Sequence, residues 1–319
     1  MSLVVDDDAA RGPVMRIDHG IDGIDAPASI ASDTPIDLSL QQQVDALQSE
    51  LNVVREELNI ARRRDETLNF YMHRLDEELR LAARLQQDFL PKQLPQVGPV
   101  HFHSLYRPAG YVSGDLYDVM RLDEKHVGFY MADAVGHGMP AALLTMFIKN
   151  AMVTKEISGR SYRLLTPGES LARLNEALVG QNLSQATFAT AVYGVINVET
   201  LEATYACAGH PNPILLDATG SLGPLPGEGG LLGIFPEEKY ENQKVKLNPG
   251  DRVFIYTDGI EVAFNDDHFT DALRWRAELY GRRGLSTEEL LVDFSDHLDR
   301  ETGSLTPKDD LTMIVLEVK

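Results

Sequence analysis

Cysteine and long apolar runs are both scarce in this sequence. The only cysteine among the 319 residues is Cys207, so no internal disulfide can form, as is usual in a reducing compartment. Its small apolar neighbours predict a packed core thiol rather than a nucleophile. No stretch of 18 apolar residues occurs, and the N-terminus lacks the basic-then-apolar pattern of a secretion signal. These absences predict a cytoplasmic protein.

Positive charge is also in short supply. The chain has 29 lysines and arginines against 49 aspartates and glutamates, which gives a net charge of −20. Nucleic acids and anionic membrane surfaces are bound through basic surfaces, so neither is expected as the main partner. The balance suits a protein that binds cations or a small folded protein.

The first 90 residues fall into two parts. Residues 1–36 contain many aspartates with glycine and proline and no hydrophobic periodicity, which predicts a disordered acidic arm. Residues 37–90 contain no proline or glycine. They follow a heptad pattern in which thirteen of fifteen core positions are apolar. The fifteen positions are Leu40, Val44, Leu47, Leu51, Val54, Leu58, Ala61, Asp65, Leu68, Met72, Leu75, Leu79, Ala82, Gln86 and Phe89.

This 3.5-residue period predicts a coiled coil. One helix of about 50 residues would be about 75 Å long, too long to be buried against its own domain, so a homodimer is the simplest arrangement. The polar positions Asp65 and Gln86 could fix the register or weaken the seam locally. The alternative is a single amphipathic helix that folds back on the following domain.

Residues 91–319 alternate strand-like and helical runs without repeats or a second linker, which predicts one α/β (α+β) domain. Within it, two strand-like runs flank a polar turn near Glu124. A hairpin centred there pairs residues whose numbers sum to about 248, which sets Asp115 opposite Asp133. Like charges at such cross-strand positions are destabilising. Either one carboxyl group keeps its proton, or a divalent cation lies between the two.

Two further acidic sites favour the cation. Asp258, in the motif Tyr256–Gly259, lies at the end of an apolar run, and the pair Asp309-Asp310 directly precedes the last one. Ends of strands commonly share a rim, and carboxylate ligands without cysteine or clustered histidine suit Mg²⁺ or Mn²⁺. Four or five carboxylates exceed what one Mg²⁺ usually binds, so two metals are predicted. Taken singly, each aspartate is better explained as a turn former or a cap. Taken together with the hairpin register, they favour the metal.

Five short motifs occur in a fixed order along the chain. They are Val112–Asp118 (VSGDLYD), Asp133–Ala142 (DAVGHGMPAA), Ala208–Pro211 (AGHP), Tyr256–Gly259 (YTDG) and Asp309–Thr312 (DDLT). Together with the entry segment Leu85–Pro91 (LQQDFLP), this order closely resembles the RsbU/SpoIIE-type serine phosphatases of the PPM (metal-dependent) superfamily. The resemblance covers about residues 85–318. It implies two packed antiparallel β-sheets flanked by helices, with two metals at one end.

The resemblance also implies roles for the carboxylates. Asp133 corresponds to the ligand that bridges both metals, and the carbonyl of Ala134 contributes to one of them. Asp258 and Asp309 correspond to the remaining ligands of the second metal. Asp115 corresponds to the acidic residue that holds the first metal, directly or through water. The predicted cofactors are thus two divalent cations, Mn²⁺ or Mg²⁺.

Five other residues receive candidate or supporting roles. Asp118 and Asp310 are expected to support the ligands rather than to bind metal. His137 is a candidate general acid, although its Gly-His-Gly setting could simply shape a turn. His210 is expected to support the site from a loop. Arg107 is a candidate for binding substrate phosphate, with an ordinary exposed arginine as the alternative.

The implied reaction is hydrolysis of phosphoserine or phosphothreonine on a protein, with the attacking hydroxide formed from water between the two metals. By resemblance, the substrate is a phosphorylated anti-anti-sigma (STAS-domain) protein of a partner-switching pathway, and the coiled coil regulates activity. Two alternatives stay open: a non-catalytic dimeric scaffold, and another two-metal phosphohydrolase. The absence of clustered histidines counts against the second.

Overall fold

The structure is a computed structural model, and the residues that it describes are 38–159, 161–183, 187–264, 272–301 and 308–319. The acidic arm predicted for residues 1–36 therefore lies outside the described residues. The chain separates into two units, Met1–Leu68 and Asn69–Lys319.

A single helix, α1 (Leu38–Phe89), runs through the heptad pattern. The predicted long helix is thus confirmed. Its apolar heptad residues are exposed as far as Leu75. From Leu79 to Gln86 the same stripe is half-buried or buried, with Gln86 only 5% exposed, and Phe89 at the end of the helix is exposed again. The last turns of the helix therefore pack on the domain that follows.

Twelve strands and five further helices make up the rest of the described chain. The strands are β1 (Val100–Arg107), β2 (Asp115–Arg121), β3 (His126–Ala134), β4 (Lys155–Ser158), β5 (Ser161–Leu164), β6 (Ala189–Asn197), β7 (Glu202–Ala208), β8 (Ile214–Leu216), β9 (Leu222–Pro224), β10 (Gln243–Lys246), β11 (Arg252–Tyr256) and β12 (Leu311–Val318). The helices are α2 (Met139–Ala151), α3 (Pro167–Val179), α4 (Gly259–Phe264), α5 (Ala272–Gly281) and α6 (Thr287–Glu301).

Ten of the strands form two antiparallel five-stranded sheets. Sheet A has the order β1-β12-β11-β8-β9, and sheet B has the order β10-β7-β6-β3-β2. Strands β4 and β5 form a separate hairpin. The arrangement confirms the predicted fold class of two packed antiparallel sheets flanked by helices.

Strand β12 shows why its sequence is apolar at almost every position. Successive side chains of a strand point to opposite faces. Ile314 and Leu316 enter a core shared with sheet B, whereas Met313 and Val315 enter a second core formed with α4, α5 and α6. Both faces of sheet A are therefore buried, and its strands end where the candidate site lies.

None of the helices in the described ranges has the length and apolar content that a membrane crossing requires.

Candidate metal centre

The β2–β3 hairpin sets Asp115 directly opposite Asp133, as the register predicted. Asp115 is 1% exposed. Burial raises the pKa of Asp115 well above its usual range, and the charge of Asp133 raises it further. Two carboxyl groups on neighbouring strands are thus held together in a poorly hydrated place, where their charges oppose each other.

Acidic residues from distant parts of the chain also raise the pKa of Asp133. Burial, followed by the charges of Asp258, Asp309 and Asp310, raises the pKa of Asp133 to about 7. Asp258 lies at the rim: the residue is exposed, yet partial burial of its carboxyl group and the charge of Asp309 raise its pKa. The ends of β2, β3, β11 and β12 therefore meet at one acidic spot.

Two threonines of sheet A hold Asp115 of sheet B. The hydroxyl groups of Thr257 and Thr312 donate hydrogen bonds to Oδ2 of Asp115, at 2.8 Å and 2.6 Å. The Thr312 N–H donates to the Thr257 hydroxyl oxygen at 3.0 Å, which orients that hydroxyl toward the carboxylate. Donors of this kind favour the ionised carboxylate. Neither threonine could be assigned this role from the sequence, although Thr257 lies in the motif Tyr256–Gly259 and Thr312 in the motif Asp309–Thr312.

Asp310 and Asp118 support the site in different ways. The carboxylate of Asp310 accepts hydrogen bonds from the backbone N–H groups of Ala109 (2.7 Å) and Gly114 (2.6 Å), and so anchors the loop before Asp115. The carboxylate of Asp118 lies 2.7 Å from Nζ of Lys149, which ties β2 to α2. Both carboxylates have partners within the protein.

Close backbone approach explains one glycine at the site. A Cβ on Gly259 would overlap the carbonyl oxygen of Asp310. Only glycine therefore lets the turn that carries Asp258 lie against the segment that carries Asp309 and Asp310. Asp309 itself is exposed, and its Oδ1 accepts a hydrogen bond from the Asp310 N–H at 2.8 Å.

The turn between β3 and α2 contains Ala134 and His137. The Ala134 N–H donates to the Gly114 carbonyl at 2.9 Å, which holds the end of β3 against the loop before Asp115. Gly136 and Gly138 have φ angles of 87° and 75°, which other residues rarely adopt. His137 lies between them and is exposed. Its role as general acid stays a prediction.

Arg107 is held by helix α6. Its guanidinium donates to the carbonyl oxygen (3.1 Å) and the hydroxyl (3.2 Å) of Ser295, and forms an ion pair with Asp299 at 2.5 Å. Binding of a substrate phosphoryl group by Arg107 stays a prediction, and it requires these partners to be exchanged.

His210 supports the strand next to Asp133. It is 5% exposed, and its Nδ1 lies 2.8 Å from the hydroxyl of Thr190, the residue paired with Asp133 across β3 and β6. Burial lowers the pKa of His210 to about 3, so the ring is neutral at physiological pH. This contact agrees with the supporting position expected from the sequence.

The donor chemistry of the site fits a hard divalent cation, because several carboxylate oxygens repel one another there. Among the residues that the structure describes, no three or more histidine, cysteine, aspartate or glutamate side chains are arranged so that they could hold a metal ion. Binding of a cation would therefore require the carboxylates to converge further than they do here.

Comparisons with known proteins place this geometry in context. Residues 123–319 match the family described as Stage II sporulation protein E (SpoIIE). The chain is 28% identical over 255 residues to the phosphoserine phosphatase RsbU of Bacillus subtilis (strain 168), covering 80% of this chain and 74% of RsbU. It is also 28% identical over 186 residues to the phosphoserine phosphatase RsbP of the same organism, covering 57% of this chain and 45% of RsbP.

Among solved structures, the chain resembles the SiaA-PP2C domain of Pseudomonas aeruginosa. The TM-score is 0.66 at 22% sequence identity, and the match covers 78% of this chain and 98% of that domain. This similarity shows that residues of the second unit adopt the PP2C fold.

Proposed function

The chain belongs to the SpoIIE family, and from that premise we propose that it is a metal-dependent protein serine/threonine phosphatase. The observation that carries the proposal is the pairing of Asp115 with Asp133, with the charges of Asp258 and Asp309 close enough to raise the pKa of Asp133. Two of the relatives are named phosphoserine phosphatases, which supports the reaction class.

In this proposal two divalent cations would be held by Asp133, the carbonyl of Ala134, Asp258 and Asp309. Asp115 would help to hold one of the two cations. The ions, Mn²⁺ or Mg²⁺, would supply Lewis-acid stabilisation of the phosphoryl oxygens and a lowered pKa for bound water.

The chain's other groups would orient the reacting parts. Thr257 and Thr312 donate hydrogen bonds that favour the ionised form of Asp115 and fix the direction of its carboxyl group. Asp310 holds the loop that precedes Asp115. His137 is exposed in the turn after Asp133, where it could donate a proton to the leaving serine oxygen. Arg107 would bind the phosphoryl group after releasing helix α6.

The proposed substrate is a phosphorylated STAS-domain anti-anti-sigma protein, and the proposed assembly is a homodimer formed through α1. The substrate class rests on the family resemblance, and the dimer rests on the exposed heptad residues of α1. We place the protein in the cytoplasm, because its single cysteine fits a reducing compartment.

Phosphate release with Mn²⁺ tests the proposed function. We expect the full chain to dephosphorylate a phosphoserine-containing STAS-domain protein and p-nitrophenyl phosphate in the presence of Mn²⁺, and to lose this activity with EDTA. A folded protein that releases no phosphate from either substrate supports a non-catalytic scaffold. Faster cleavage of bis-p-nitrophenyl phosphate than of the monoester supports another two-metal phosphohydrolase.

Gln86 supports regulation through α1. Its side-chain oxygen accepts from the Ser113 N–H (2.9 Å), and its amide nitrogen donates to the Ser113 carbonyl (2.7 Å) and to the hydroxyl of Thr145 on α2 (3.3 Å). The Ser113 hydroxyl in turn accepts from the Asp115 N–H at 3.0 Å. Movement of this end of α1 would therefore shift both α2 and the turn that carries Asp115.

Replacing Gln86 by leucine should uncouple the helix from the site. Leucine has a similar size, but it leaves the buried N–H and carbonyl of Ser113 without these partners, at a cost of about 1–3 kcal/mol. The double substitution Leu51→Asp and Leu58→Asp, here called the seam-breaking pair, places charges on the apolar stripe of α1 and should prevent dimerisation. We expect it to change the apparent Mn²⁺ affinity when introduced into the parent chain, but not when introduced into Gln86→Leu. Mn²⁺ titration of activity in the four chains measures this coupling.

The matched control is Gln87→Leu, because Gln87 is the exposed neighbour of Gln86. This variant should retain the effect of the seam-breaking pair. Regulation through Gln86 is rejected if that pair changes Mn²⁺ affinity equally with and without Gln86, or leaves the parent chain unchanged.

A further inference from the structure

The apolar stripe of α1 is uncovered over most of its length. Nine large apolar heptad residues, here called the open seam, are each between 43% and 64% exposed. The open seam consists of Leu40, Val44, Leu47, Leu51, Val54, Leu58, Leu68, Met72 and Leu75. A stripe of this length on one helix is typical of a surface that another helix covers.

The chain itself sets where the open seam ends. Leu79 and Ala82, the next two heptad positions, are half-buried, and Gln86 is bonded to Ser113. The stripe from Leu79 to Gln86 therefore packs on the domain of the same chain. A partner helix would have residues 40–75 available and little beyond them.

Charges beside the open seam distinguish the possible directions of a partner. With Leu51 and Leu58 at heptad position a, Glu50 and Glu57 occupy position g, and Arg55 and Arg62 occupy position e. In a parallel, in-register pair, each g residue meets the e residue five positions further along the other helix. The pairs are then Glu50 with Arg55 and Glu57 with Arg62, all of opposite charge.

An antiparallel pair would bring g against g and e against e. If residues 40–75 overlap fully in that direction, Glu57 faces Glu57 and Arg55 faces Arg62, which is unfavourable. Only Glu50 then meets an opposite charge, at Arg64. We propose that the open seam binds a second copy of this chain in a parallel, in-register coiled coil over residues 40–75. This inference rests on the homodimer of the proposed function and adds its direction and register.

A polar layer fits the same register. Asp65 occupies an a position between Ala61 and Leu68, so two in-register copies bring their Asp65 side chains to the same level. Arg64 at position g lies beside Asp65 of the other copy in that arrangement, which provides a counter-charge. A polar a position commonly specifies register at some cost in stability.

Single cysteines test direction and register in the full chain. Leu47→Cys and Leu68→Cys, made separately, should each form a disulfide-linked dimer under mild oxidation, because both residues occupy d positions. Two positions 21 residues apart can both meet their own copies only in a parallel, in-register pair. The native Cys207 is 1% exposed and should not contribute. Glu56→Cys, at the outward f position, is the control that should stay monomeric on a non-reducing gel.

Charge exchange provides a second measurement. Glu57→Arg should weaken self-association about 3- to 10-fold in sedimentation equilibrium, since exposed ion pairs contribute modestly and two are lost per dimer. Adding Arg62→Glu should restore it. The proposal is overturned if either cysteine fails to cross-link, if Glu56→Cys cross-links as fast, or if the charge exchange fails to restore association.

Failure of this proposal is separable from failure of the proposed function. A chain that hydrolyses the phosphoprotein but gives no cross-link rejects only the parallel coiled coil. A chain that cross-links at both positions but releases no phosphate rejects only the phosphatase.

Discussion

Asp133→Asn should lower metal-dependent phosphatase turnover by about 10³-fold or more, because the proposed metal ligand loses its charge. The substitution keeps the size of the side chain and its place opposite Asp115 on β3. Initial rates at saturating Mn²⁺ measure the effect. Turnover within tenfold of the parent chain would contradict the role assigned to Asp133.

The same variant should have a distinctive stability. Without metal, Asp133→Asn should melt about 2–4 °C higher than the parent, because a carboxylate repelled by Asp115, Asp258 and Asp309 has been neutralised. Added Mn²⁺ should stabilise the parent and not the variant, since a ligand stabilises only the state that binds it.

A control exists at the other end of the same hairpin. The carboxylate of Asp123 accepts hydrogen bonds from the N–H groups of Lys125 and His126, both at 2.8 Å, and so closes the turn. Asp123→Asn should therefore lower the melting temperature and leave turnover and Mn²⁺ stabilisation intact. Asp133→Asn is thus expected to lose turnover and to melt higher, whereas Asp123→Asn is expected to keep turnover and to melt lower.

Thr312→Val should weaken metal binding by about 10- to 100-fold, as is usual when a hydrogen-bond partner of a metal ligand is lost. The change keeps the branched shape and removes the hydroxyl that donates to Asp115 at 2.6 Å. The turnover at saturating metal should fall less than the affinity does. Mn²⁺ titration calorimetry together with rates at saturating Mn²⁺ separates the two quantities.

Thr312→Ser is the matched control, because serine keeps the hydroxyl and loses only a methyl group. It should bind Mn²⁺ nearly as well as the parent. Thr257→Val should resemble Thr312→Val, since Thr257 donates to the same carboxylate oxygen. A Thr312→Val protein that is less stable but binds Mn²⁺ normally would leave the threonine with a purely structural role.

Local features of the site could be predicted from the sequence. The register that opposes Asp115 to Asp133 follows from one short turn, because a hairpin fixes its pairing once its centre is known. The hydroxyl bonds to Asp115 could not be found this way. Thr257 and Thr312 are 142 and 197 residues away from it and approach only when sheet A packs on sheet B.

The heptad pattern was informative in a similarly limited way. It predicted the helix, because its period depends on residues only a few positions apart. It also assigned Gln86 to a seam facing another chain, whereas Gln86 bonds to Ser113 of its own domain. A period identifies the face that is covered and does not identify what covers it. For the same reason, the contact between Arg107 and α6 could not be predicted from the sequence.

A crystal grown with Mn²⁺ and measured at the manganese absorption edge would test most directly whether these carboxylates form a metal centre. We expect two anomalous peaks beside Asp133, one of them within reach of Asp258 and Asp309 and the other on the side of Asp115. Saturating Mn²⁺ with no anomalous peak at Asp133 would contradict the proposed centre and the phosphatase mechanism built on it.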